Sequence, residues 1–198
     1  MYTRSALLVL LVAVAASGNI PDFLAPGQCP TIGNSKRWAE QSRHLGNFSG
    51  TWYTFALTQN PLQETGECVR TEYTYDGAQF HLASTGVNAK GRHFSISGSV
   101  YPNPKGEPHL NLDIDGSFSV PHYVLDTDYK NYACVYSCVD FRFGRYTDIA
   151  LVLGRYPYLT SDFVRKCDAA FDSINIDRTR FTKVHQGHPC LYDAQNTF

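Results

Sequence analysis

Six cysteines, Cys29, Cys68, Cys134, Cys138, Cys167 and Cys190, are the residues of this 198-residue chain best suited to covalent chemistry. Left free they could be nucleophiles or metal ligands; paired, they are structural. Cys134 and Cys138 lie in Tyr132-Ala-Cys-Val-Tyr-Ser-Cys-Val139, a run that reads as a strand. At about 3.3 Å per residue they stand roughly 13 Å apart, too far to bond each other. Their even spacing puts both on one face, so each must reach a different element. The spacing matches no zinc finger or ribbon. An even count behind a secretory leader implies three disulfides in an oxidising compartment, and six cysteines leave fifteen connectivities open before geometry is applied.

The remaining candidates for reactive chemistry read more blandly. His185 and His188 have a spacing that a metal could use, but they sit in what reads as a solvated tail. Asp126, Asp128 and Asp140 frame a strand and read as turn acids, not as an acid–base pair. With the cysteines paired no thiol nucleophile remains, and there is no Gly-X-Ser-X-Gly elbow or His-Glu-X-X-His helix. An enzyme is therefore not expected. Asn47-Phe-Ser49 is a glycosylation sequon. A formal net charge of −1 is too small to steer the chain to nucleic acid or anionic lipid.

The elements that must position these residues are legible. Arg4, the apolar run Ala6–Ala16 and the small residues up to Ser17 read as a signal peptide cut between Ser17 and Gly18. Residues 18–198 then suit one domain with one core. Eight runs are predicted as strands: Thr51–Gln59, Cys68–Tyr75, Gln79–Thr85, Arg92–Tyr101, Pro108–Ile114, Val120–Asp126, Tyr132–Asp140 and Tyr146–Gly154. Turn formers separate them, among them Asp76-Gly77, Asn88–Gly91, Pro102–Gly106 and Asp115-Gly116. Eight strands without interleaved helices suggest an up-and-down barrel, which closes its own edges; a sandwich fits the same pattern.

One helix follows. Ser161 is placed as its cap, Asp162 in its first turn, and Phe163, Val164, Cys167, Ala170, Phe171 and Ile174 recur at helical spacing. Cys167 falls on the buried stripe, which makes it a partner for an outward-facing cysteine of the Tyr132–Asp140 strand.

Three motifs resemble the lipocalin signatures. Asn47-Phe-Ser-Gly50-Thr-Trp52-Tyr53 opens the first strand, Thr127-Asp128-Tyr129 opens the strand of the paired cysteines, and Arg155 closes the last strand. Gly50 permits a tight approach, Trp52 plugs the closed end, and Arg155 can lie over the indole while bonding nearby carbonyls. The order and separation of all three are specific where any one alone is weak. Ile20-Pro-Asp-Phe23, Trp38-Ala-Glu-Gln41, Phe55-Ala-Leu-Thr58, Tyr101-Pro-Asn-Pro104, Gly106-Glu-Pro-His-Leu110 and Asn131-Tyr-Ala-Cys134 further resemble the crustacyanins, and the C-type subunit most closely.

That resemblance implies an all-β fold: an eight-stranded antiparallel lipocalin barrel with one C-terminal α-helix outside. It implies pairing of Cys29 with Cys138 and of Cys68 with Cys190, and it agrees with the helix argument for Cys134 with Cys167. It implies astaxanthin as the bound chromophore and an A-type crustacyanin subunit as heterodimer partner, where composition and spacing alone give only an apolar ligand. His109 matches the family position credited with contacting the carotenoid keto oxygen, and Gln63 and Tyr73 match nearby polar positions. The chain departs from the family at Thr54 and Thr71, which keep a hydroxyl but lose the reach of longer polar groups, and at Ile114, where the family has an aromatic. Hydrogen-bond donors at the keto oxygen, a protonated histidine or flattened end rings would lower the excitation energy of the polyene. A secreted carrier of a bilin, retinoid or fatty acid shares the fold and the motifs.

Overall fold

A computed structural model describes residues 24–33, 42–58, 66–114 and 119–192. The expected leader, residues 1–17, lies outside that range, as do Gln63 and the Ile20–Phe23 and Trp38–Gln41 motifs. Among the described residues, eight strands follow the predicted runs to within three residues at each end. They are β2 (Gly50–Thr58), β3 (Gly66–Tyr75), β4 (Phe80–Asn88), β5 (His93–Pro102), β6 (Leu110–Ile114), β7 (Ser119–Thr127), β8 (Tyr132–Phe141) and β9 (Arg145–Gly154). Each pairs antiparallel with its sequence neighbour, and β9 pairs back to β2 through Tyr53↔Gly154 to Leu57↔Leu151. That last pairing decides for a closed barrel over a sandwich. Two short strands are added outside: β1 (Ala25–Pro26) on β9, and β10 (Phe181–Lys183) on β2.

Side chains alternate across the wall, so one face of every strand fills the barrel and the other faces outward. One end is closed. A 3-10 segment, Ser42–Phe48, kinked at His44, lies across it. Phe48 stacks on Trp52 at 4.8 Å between ring centroids and meets Tyr73 edge-on at 5.2 Å. Trp52 Nε1 donates to Phe48 O at 2.8 Å, so the buried indole has its polar edge satisfied.

The signature residues converge at this end. Arg155 holds its guanidinium carbon 3.8 Å over the Trp52 ring. Its Nε donates to Tyr129 O at 3.0 Å, Nη1 to Thr51 O and Nη2 to Asn47 O. Gly50 has φ +98°, and a Cβ there would stand 3.1 Å from Arg155 Nη1, so both conformation and space call for glycine. Asp128 Oδ1 accepts from the backbone N–H groups of Lys130, Asn131 and Tyr132, which folds the β7–β8 turn and presents Tyr129 O to Arg155.

Outside the wall lies α1 (Ser161–Asp172). The cap falls one residue earlier than expected: Thr160 O already accepts from Phe163 N and Val164 N, so Ser161 is the first helical residue. Cys167 and Phe171 are fully buried against β7 and β8. Disulfides join Cys134 to Cys167, Cys29 to Cys138 and Cys68 to Cys190. They tie the helix, the N-terminal arm and the C-terminal tail to the barrel. In that tail the ring of His185 engages His188 O at 2.9 Å.

Candidate functional site

The open end leads into a cavity of about 210 Å³. Its walls come from the inward positions of β3 to β9: Leu82 and Ile96 on one side, Leu112, Ile114 and Val120 on the next, and Val135, Ile149 and Leu151 opposite. A second, smaller void of about 20 Å³ lies below it among Phe48, Phe80, Val100 and Leu110. His122 and Tyr73 border both spaces and form the floor between them.

Polar groups inside are few, and two pairs of them bond across strands. Thr71 Oγ1 donates to Ser84 Oγ at 3.1 Å on the β3–β4 wall. On the far wall, between β7 and β8, His122 Nδ1 and Ser137 Oγ are 2.8 Å apart. Burial pushes His122 down to about 4 and Tyr73 up to about 12, so both are neutral at neutral pH. Asp148 contributes to the wall, but its carboxylate turns outward, where Tyr136 donates to it at 3.0 Å and Arg180 pairs with it. The space therefore suits an apolar molecule with an uncharged polar end.

This arrangement of barrel, capping segment, helix and cavity has known counterparts. Residues 49–188 match the family model described as lipocalin / cytosolic fatty-acid binding protein. The chain belongs to the lipocalin family. Within it the chain is a member of the crustacyanin group: it is 48% identical over 178 residues to the crustacyanin-C1 subunit of Homarus gammarus, covering 90% of this chain and 98% of that one. The crustacyanin-A1 subunit of the same lobster matches at the same 48% and the same coverage, so identity does not separate the two subunit types. The crystal structure of lobster apocrustacyanin A1 superposes with a TM-score of 0.84 at 47% identity, covering 91% of this chain and all of that one.

The lipocalin barrel does not bring all the sequence candidates together. Thr71, Tyr73 and Ile114 line the cavity. Thr54 is buried on β2 but lies off the cavity wall, and Gln63 is outside the described residues. His109 stands just before β6 at the closed end, beside Tyr123 on the outer face of β7, with ring centroids 5.3 Å apart. Its Nε2 meets Asn103 Nδ2 at 2.8 Å and Glu107 Oε2 at 3.6 Å. Burial lowers its pKa, against the opposing effects of Glu107 and Asn111. The histidine that faces the cavity is His122, which sequence reasoning did not single out. Its signal is parity: it lies two residues from Val120 and two from Val124, on the apolar face of a strand that was recognised. Asn47 is exposed, and its carbonyl, not its side chain, bonds Arg155.

Proposed function

We propose that this lipocalin binds a carotenoid, astaxanthin, in its cup and assembles with an A-type crustacyanin subunit into a pigment complex. The observation that carries the reading is the cavity: apolar, open at one end, with a few uncharged polar groups at its floor. Affinity scales with buried apolar area at about 25 cal/mol per Å², so the walls supply most of it. The volume of about 210 Å³ is below the roughly 300–1,000 Å³ usual for drug-sized ligands. A cup of this size takes one end of a long polyene, which favours two cups set mouth to mouth over a single carrier. Phe143, 96% exposed in the β8–β9 turn at the open end, supplies apolar surface for such a pairing. The leader, three disulfides and exposed sequon at Asn47 fit a secreted, extracellular protein with residues 18–198 as its mature domain.

Titration of the purified protein and an A-type subunit with astaxanthin, followed by absorption spectroscopy, tests the reading. A saturable complex with absorption moved to longer wavelength is expected. Preferential uptake of a bilin, retinoid or fatty acid by the single subunit would favour the carrier alternative.

A further inference from the structure

Resting on the reading above, we infer that His122 is a specificity-determining residue of the cup: it donates a hydrogen bond to the uncharged oxygen of a ligand's leading end, and the cup discriminates against carboxylate-ended lipids.

Three observations support this. First, His122 sits where a ligand entering from the mouth must end, on the floor between the large and small voids and 4% exposed. Second, its ring has one partner among the described residues, Ser137 Oγ on Nδ1 at 2.8 Å. We assign the tautomer in which the Ser137 hydroxyl donates to Nδ1, so that the proton resides on Nε2 and is left to donate to a ligand. Third, nothing among the described residues inside the cup can neutralise an anion. The inward polar side chains are Thr71, Tyr73, Ser84, His122, Ser137 and Thr147, and Asp148 with Arg180 is a closed pair on the outer face. Burial keeps the imidazole neutral at neutral pH. A carboxylate carried to this floor would lose its hydration and gain no cation. An alcohol or carbonyl gains one hydrogen bond to a group already desolvated.

Retinol and retinoate provide the test, because they share one polyene and differ in end group. Binding at pH 7.5 is measured by quenching of tryptophan fluorescence, for the full protein and for His122→Leu, with thermal melts of both. Wild type is expected to bind retinol at least tenfold more tightly than retinoate. His122→Leu is expected to weaken retinol about three- to tenfold, the range of one net hydrogen bond, and to leave retinoate unchanged. A direct readout needs no variant: adding retinol to ¹⁵N-labelled wild type is expected to move the imidazole Nε2–H signal of His122. Equal affinities for the two ligands, or a His122 signal that retinol leaves in place, overturn the inference even if His122→Leu does not fold. Astaxanthin titrated alongside, with an A-type subunit present, keeps the two questions apart. Astaxanthin binding without a retinol preference sinks this inference alone, whereas a retinol preference without astaxanthin binding sinks the carotenoid reading alone.

Discussion

The guanidinium of Arg155 lies 3.8 Å above the Trp52 ring, at the end of the barrel opposite the cavity mouth. The cation–π contact and three hydrogen bonds to the carbonyls of Asn47, Thr51 and Tyr129 clasp the capping segment, β2 and the β7–β8 turn together. Arg155→Ala is expected to destabilise the fold by about 2–3 kcal/mol, from the lost cation–π contact and the unpaired carbonyls. Ligand preference should be unchanged, because no cavity wall is touched. Urea unfolding and ligand titration on the same variant check this; unchanged stability with altered ligand choice would contradict it.

Stability should fall with acid through His122. Its folded pKa is depressed to about 4 from 6.5. Between those values the unfolded chain binds a proton that the folded chain refuses, so stability rises with pH across that window. No stability is lost through this group above pH 6.5, and the loss reaches about 3 kcal/mol once pH has fallen to 4. His109 is depressed as well and adds in the same direction. Denaturant unfolding between pH 4 and 7 should show a shallower slope for His122→Gln than for wild type.

The Cys134–Cys167 bond closes a loop of 33 residues that contains β9 and the start of α1. Changing both cysteines to alanine is expected to cost about 3 kcal/mol. The helix should become the first element to exchange its amides, since Phe171 and the disulfide are its main anchors in the wall. Hydrogen exchange by mass spectrometry reads this directly.

Period and punctuation made most of the fold legible in the sequence. Alternation with turn formers located eight strands, and the Phe163–Ile174 stripe located α1. The even spacing of Cys134 and Cys138 required separate partners outside the wall. Closure was expected from the lipocalin signatures but not fixed by the strand pattern, which also fits a sandwich. The β9–β2 pairing joins strands about a hundred residues apart and leaves no local trace. The cup was only partly legible. Thr71, Tyr73 and Ile114 lie on alternating strand positions, so their inward direction follows from parity. His109 lies in the loop before β6, where period 2 says nothing of direction; pairing of Leu110 with His122 sets its face beside Tyr123. His122 obeyed the strand period all along, but a histidine between valines reads as an interruption of an apolar face until the cavity beside it is seen.

Phe143 has φ +66°, a left-handed conformation that a bulky side chain rarely adopts, and it projects almost wholly into solvent. Phe143→Asn should leave the monomer at least as stable, because asparagine tolerates that conformation. It should weaken association with an A-type subunit about tenfold or more if the two mouths meet there. Sedimentation equilibrium of the mixed subunits is the check; unchanged association would move the interface elsewhere on the barrel.

With the ligand's end seated in the cup, filling the cup should expel it. Ile96 lies on the cavity wall, and Ile96→Trp places a larger apolar group in the same space without adding charge. Astaxanthin uptake by wild type and by this variant, each mixed with an A-type subunit and measured by absorption after gel filtration, is the most direct test. Stoichiometric pigment is expected with wild type, and at least a tenfold loss with Ile96→Trp at an unchanged melting temperature. Equal pigment uptake by a folded Ile96→Trp protein would contradict that seating.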